Sequence, residues 1–239
     1  MLKDIRDAEL LSSGVGCYTA PEAARLLKTS PRKISRWLDG YTFKDASGET
    51  VRTPPLWTPQ WPRFAGSLEI GFQDLIELRF VLAFVERGVP LNIIRRCHEN
   101  ARAILADERP FSKHRFRTDG RRLFLESVKE AQQGSKFSLT DLRTNQMVFK
   151  DVVEQTFKDV DFVGGSAAQW RPYAGKASIV IDPNRSFGKP IAASYGAPTV
   201  ALANAVRAEG SPKRVAALFE VPVSVVNDAV AYERSLMAA

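Results

Sequence analysis

Tyr18-Thr-Ala-Pro-Glu-Ala-Ala-Arg-Leu-Leu-Lys-Thr-Ser-Pro-Arg-Lys-Ile-Ser-Arg-Trp37-Leu38 decides how the chain is read, because it specifies two short helices in immediate succession. Thr19 followed three residues later by Glu22 is a capping box, and Ser30 ahead of Pro31 places a cap before a proline in a first helical turn. Only a tight turn fits between them. Ala23, Ala24, Leu26 and Leu27 form the apolar side of the first helix, and Ile34, Trp37 and Leu38 that of the second, at three- and four-residue spacing. Arg32, Lys33, Ser35 and Arg36 are left facing outward. A helix so studded with cations fits the major groove of double-stranded DNA, where cations meet phosphates and a guanidinium fork matches O6 and N7 of guanine. The DNA-binding residues expected here are Ser30, Arg32, Lys33, Ser35 and Arg36. The bland alternative is a helical hairpin with a solvated basic face.

From Asp39 to Gly66 the helix signal stops. Pro54, Pro55, Pro59 and Pro62 forbid a regular helix, and short strands bracketing Asp45-Ala-Ser-Gly48 make a small hairpin, or wing. Its Lys44 and Arg52, with Arg63 beyond it, are expected at the DNA backbone or simply in solvent, while Trp57, Trp61 and Phe64 are read as a lid on the core. Phe72 to Gly88 is apolar around most of its circumference and so reads as a central buried helix. Pro90 opens another, with Leu91, Ile94, His98, Ala101 and Leu105 on one face to about Ala106. Cys97 and His98 point in different directions on that helix and His114 lies in a basic loop, so neither a metal nor another cofactor is expected.

These residues carry a resemblance. Tyr18 to Glu22 with Ala24, Ser30 to Arg32, Arg36 and Trp37, a wing, and then Asp74 to Ile94 follow the order found in the winged helix-turn-helix domain of MerR-type regulators. The resemblance covers roughly the first 105 residues and implies duplex DNA as a partner. The long coiled-coil helix and effector cysteines of metal-sensing members are not seen, so metal sensing does not carry over.

Asp107 to Lys176 reads as a connector. The basic run Lys113-His-Arg-Phe-Arg-Thr-Asp-Gly-Arg-Arg122 is closed by Leu123-Phe-Leu125, and Asp119-Gly120 within it signals a β-hairpin. A further strand is expected at Gln146-Met-Val-Phe149, and Gly164-Gly165-Ser166 reads as a loose linker. Arg115, Arg117, Arg121 and Arg122 are candidates for DNA backbone contact or for insertion into the acidic cleft of a protein partner, against a solvated hairpin.

Beyond Ile179-Val-Ile181, a short strand, three helices are expected: Pro198 to Glu209, Pro212 to Phe219 after a Ser211 cap, and one from Pro222 carrying Val225, Val226, Ala229 and Tyr232. The last two echo the shape of the first pair, but the helix from Pro222 to Ala229 has no Lys or Arg. Lacking cations, it releases no counterions on DNA, and the unit reads as a protein-contact or dimerisation module. Asp182-Pro183, Gly188 to Pro190, Gly210 to Pro212, Val215, Ala216, Phe219, Val221, Ala229 and Tyr232 resemble a small helical domain common in VapB-type antitoxins. Where that family continues into Gly-Thr-Arg, Ser194-Tyr-Gly-Ala197 stands here. Together the two resemblances look like the longer antitoxins of VapBC-type operons. They imply a DNA-binding antitoxin that represses its own operon and neutralises a PIN-domain ribonuclease toxin, whose metal-binding carboxylates the run Arg115 to Arg122 could occupy.

Composition sets the outer bounds. Thirty-four Lys and Arg against 27 Asp and Glu give the 239-residue chain a net charge of +7, which favours a polyanionic partner, and 44% hydrophobic residues exclude a disordered protein. Two cysteines make no disulfide framework, Met1 to Glu9 lacks the apolar run of a signal peptide, and no window spans a bilayer, so a cytoplasmic protein without a membrane role is expected. No phosphate loop, nucleophile elbow or ligand spacing points to an enzyme. The fold class expected is mainly α with small β elements (α+β): 1–106 a winged helix-turn-helix with two core helices, 107–175 a β-hairpin connector, and 176–239 a helical antitoxin-type domain, in a homodimer. The runner-up is a MerR-like transcriptional regulator whose C-terminal half senses a ligand or dimerises, and an interaction scaffold with no DNA role stands third.

Overall fold

The computed structural model describes residues 16–131, 139–173 and 176–237; Met1 to Glu9, read above for a signal peptide, lies outside them. The fold is mainly helical with small antiparallel sheets. In chain order the elements are β1 (Cys17–Thr19), α1 (Ala20–Leu27), α2 (Pro31–Asp39), β2 (Tyr41–Lys44), β3 (Thr50–Thr53), β4 (Glu69–Gly71), α3 (Phe72–Glu86), α4 (Leu91–Leu105), α5 (Phe116–Ala131), α6 (Leu139–Phe157), β5 (Val160–Val163), β6 (Ser166–Trp170), β7 (Ile179–Val180), β8 (Ile191–Ala192), α7 (Thr199–Glu209), α8 (Pro212–Leu218) and α9 (Val223–Met237).

Two compact units divide the chain, and neither is continuous in sequence. Unit 1 takes 1–31, 64–72 and 168–239, and unit 2 takes 32–63 and 73–167. In unit 1, β1 pairs antiparallel with β4, Tyr18 standing opposite Ile70. The capping box forms as expected at the head of α1: Thr19 Oγ1 accepts from the Glu22 amide, while Glu22 accepts from the Thr19 amide at 2.9 Å. Arg25 of α1 pairs with the buried carboxylate of Glu233 on α9, which also accepts from the Thr199 hydroxyl of α7. Leu202, Val215, Val226 and Ala229 form the apolar core of the three C-terminal helices, and the Ser211 side chain caps α8. Helices α8 and α9 meet at 114°, the angle of a helix-turn-helix.

The Gly188-Lys-Pro loop is held at its glycine. Tyr18 Oη donates to the Gly188 carbonyl at 2.8 Å, and a Cβ at Gly188 (φ +75°) would stand 2.3 Å from that oxygen and 2.9 Å from Gly16 Cα. Gly188→Ala therefore meets both left-handed strain and a backbone clash, and is expected to cost about 1 to 3 kcal/mol. Urea unfolding measures it; a midpoint equal to the wild type's would remove this account of the loop.

Unit 2 is built on phenylalanine. Phe80, Phe84, Phe111, Phe116, Phe124, Phe149 and Phe157, contributed by α3, α5, α6 and the turn before α5, stack and tilt with ring centroids 4.5 to 6.3 Å apart. Each such pair adds about 0.5 to 1.5 kcal/mol beyond the area it buries. As expected, α3 is the central helix and His98 is buried, stacked on Trp57 and 3.3 Å from the Glu77 carboxylate.

Several expectations for this unit are corrected. The run Lys113 to Leu125 is no β-hairpin: from Phe116 on it is the start of α5, because Phe116, Gly120, Leu123, Phe124, Ser127 and Val128 recur at helical spacing on the buried face. Gly120 is small for packing, not for a turn: a Cβ there would stand 2.7 Å from the Phe116 ring. Gln146 to Phe149 belongs to α6 and not to a strand, since Phe149, Val152, Val153, Thr156 and Phe157 line one helical side. Gly164-Gly165 is the turn of the β5–β6 hairpin and not a loose linker. Of the three lid aromatics, Trp57 is buried and Trp61 partly so, but Phe64 is 63% exposed, in a turn closed by its own bridge to Ser67.

Candidate nucleic-acid interface

Helix α2 places its residues as its periodicity demands. Ile34, Trp37 and Leu38 are buried, Arg32, Lys33 and Arg36 are exposed, Ser35 is half-buried, and Ser30 is exposed just before Pro31. Among the described residues Arg32 makes no ion pair. Arg36 lies over the Tyr41 ring, its guanidinium carbon 3.9 Å from the centroid. A hydrogen bond with Thr53, and then Arg36, holds the Tyr41 phenol below its usual pKa. Tyr41 thus braces the guanidinium of Arg36. Sequence reading passed over Tyr41 as one aromatic of a crowded loop; its place five residues after Arg36, across the Gly40 turn, was the available signal.

The wing forms as expected, β2 pairing antiparallel with β3. Asp45 locks its tip by accepting from the Ser47 and Glu49 amides and the Ser47 hydroxyl. Register puts Tyr41, Phe43, Val51 and Thr53 on one face of the ribbon, and Thr42, Lys44, Thr50 and Arg52 on the other. Lys44 and Arg52 are thus brought together, exposed, on the face opposite the one where Arg36 stacks. Arg63 pairs with Asp39 at the end of α2. Below α2 a cleft of about 220 Å³ is lined by Lys33, Arg36, Trp37, Tyr41, Val85 and Val89, among others.

The segment returning from the wing is tied down by buried charge. Asp74, fully buried at the start of α3, accepts from Trp57 Nε1 at 3.0 Å, from the Gln60 amide at 2.7 Å and from Arg109 Nε at 2.7 Å. Arg95 donates to the carbonyls of Pro54 and Pro55. Neither Arg95 nor Arg109 is an outward cation; both serve the fold.

Residues 16–97 match the family described as "Putative DNA-binding HTH domain". The chain carries an N-terminal helix-turn-helix domain. Over 94% of its length, and 97% of the relative's, it is 27% identical to "Putative antitoxin VapB45" of Mycobacterium tuberculosis. Its fold is shared with the crystal structure of Rv2018 from Mycobacterium tuberculosis, at a TM-score of 0.68 and 22% identity over 89% of this chain and 96% of that one. The chain is therefore similar, along nearly its whole length, to a VapB-type antitoxin with a helix-turn-helix domain.

The remaining candidates lie elsewhere in unit 2. Arg115 precedes α5, and Arg117, Arg121 and Arg122 are exposed on it. Arg115 and Arg122 make long i,i+4 contacts of 3.6 and 3.8 Å with Asp119 and Glu126, exposed pairs worth about 0 to 1 kcal/mol. Among the described residues no single helix is long and apolar enough to cross a membrane.

Proposed function

We propose that this protein is an antitoxin that binds operator DNA as a homodimer, represses its own operon and neutralises a PIN-domain ribonuclease. The observation that carries the DNA half is α2: Arg32, Lys33 and Arg36 are exposed together while Ile34 and Trp37 anchor the opposite side. Arg32 and Arg36 are assigned to base edges, Lys33, Ser30 and Ser35 to the sugar-phosphate chain beside them, and Lys44 and Arg52 to the flanking backbone. Arg63, shared with Asp39, adds least.

The toxin half is supported by the similarity to an antitoxin over nearly the full length, and by the exposed cations Arg115, Arg117, Arg121 and Arg122, suited to a nuclease's carboxylate cluster. Residues 1–106 serve DNA, 107–175 meet the toxin, and 176–239 give the protein contacts of the dimer. On this reading the chain is a cytoplasmic binding protein and not an enzyme. The test is co-expression with the product of the open reading frame adjacent to its gene, followed by a growth assay and a footprint on the upstream DNA. Rescue of growth with a salt-sensitive footprint is the expected result; the absence of both overturns the proposal.

A further inference from the structure

Helices α5 and α6 enclose a groove of about 830 Å³. Cations stand on both its sides: Arg117, Arg121 and Arg122 from α5, Arg143 and Lys150 from α6. Against these five, Glu154 is the one carboxylate among the described lining residues, and it sits within an exposed, 3.9 Å pair with Lys150. Between the charges the lining is part apolar and part polar, Thr118 and Gln146 standing among the apolar side chains. Leu125, Phe149 and Val153 contribute to it, and Met147 of α6 is 61% exposed there. Arg117 to Leu125 extends about 12 Å along α5 and Arg143 to Glu154 about 16 Å along α6, at 1.5 Å per residue, the length of two to three helical turns.

An apolar strip between two cationic sides matches one kind of occupant. Nucleic acid would meet the cations through its phosphates but gain little from Leu125, Met147 and Val153. An amphipathic helix with an apolar stripe and carboxylates on both flanks meets the cations and the apolar side chains together, laying its stripe on Leu125 and Met147 and its carboxylates against the guanidinium groups. The geometry points to this groove as the seat of an acidic amphipathic helix on the surface of the toxin. This inference rests on the antitoxin reading and extends it: the toxin is clasped by a groove on the antitoxin, lined by none of the α2 or wing residues, and not only probed by single arginine side chains. The two helices owe their place to the phenylalanine core, so their outward charges can be changed without touching it.

The test uses the full-length protein with a labelled synthetic helix bearing a leucine stripe flanked by glutamates, and a short single-stranded RNA as competitor. The triple variant Arg117→Glu, Arg121→Glu, Lys150→Glu is expected to bind the helix at least about tenfold more weakly. Met147→Gln is expected to weaken the helix several-fold and leave RNA binding unmoved; circular dichroism and the upstream-DNA footprint check that both variants are folded. In the growth assay the wild type should rescue cells from the product of the adjacent open reading frame and the triple variant should not. Rescue by both overturns the groove and leaves the antitoxin reading standing, whereas failure by the wild type overturns both. Preferential capture of the RNA, or no binding of the peptide by the wild type, also overturns the groove.

Discussion

Arg32→Ala combined with Arg36→Ala is expected to weaken binding to the upstream duplex by about 2 to 6 kcal/mol, since a base-reading arginine contributes about 1 to 3 kcal/mol of discrimination. Both side chains are exposed while Ile34, Trp37 and Leu38 are the buried residues of α2, so the thermal midpoint should stay close to wild type. The geometry separates the two arginines. Arg36 is braced by Tyr41, so Tyr41→Ala is expected to reproduce part of the Arg36→Ala loss, while Tyr41→Phe keeps a ring for the guanidinium and should lose less. Lys44→Ala and Arg52→Ala should lower affinity for all sequences alike and flatten the salt dependence by about one counterion each. Fluorescence anisotropy across a salt series, with the upstream fragment and a scrambled duplex, distinguishes these outcomes. Unchanged discrimination in the double arginine variant would remove α2 from the role of reader.

The second large effect falls on stability. Asp74→Ala is expected to destabilise the protein by about 3 to 5 kcal/mol, because the buried carboxylate answers a guanidinium and two further N–H donors, all of which the substitution abandons. Asp74→Asn retains an acceptor for Trp57 or Arg109 but not the charge, and should cost about 1 to 3 kcal/mol. Urea unfolding followed by tryptophan fluorescence measures both, Trp57 being itself a partner of Asp74. Equal midpoints for wild type and Asp74→Ala would refute the account of Asp74 as the clamp on the segment returning from the wing. That clamp also has a functional side. Residues 54–62 lead from the wing back to α3, so the carboxylate that holds them steadies the approach to Lys44 and Arg52 as well as the core.

How much was legible differs from one helix to the next, for identifiable reasons. Helices α1 and α2 carry local signals, a capping box and a proline at the first turn, and their apolar positions repeat with the helical period; those signals act over three or four residues and need nothing from the rest of the chain. Strand β1 was missed because three residues give no alternation to read, and its partner lies fifty residues away. Helix α5 was misread because Asp119-Gly120 imitates a hairpin turn. What overrode that dipeptide is the Phe116 ring, folded over Gly120 and engaged with Phe80, Phe111 and Phe149, a set of neighbours from three separate stretches of sequence. The cations of α5 were singled out as contact candidates, but Arg143 and Lys150, which line the groove with them, were not, because which helices lie side by side is not a local property.

The sequence by itself determined the helix-turn-helix, the wing, the helix-turn-helix shape of the C-terminal pair and the excess of positive charge, since caps, turns and periodicity are short-range physics written in neighbouring residues. Only the tertiary structure decided that Asp74 gathers Trp57, Gln60 and Arg109, that Tyr18 closes on Gly188, and that α5 and α6 frame a groove. Those pairings span from 14 to 170 residues. They form because a buried charge, or a backbone held too close for a side chain, must find its complement wherever the packed chain brings it.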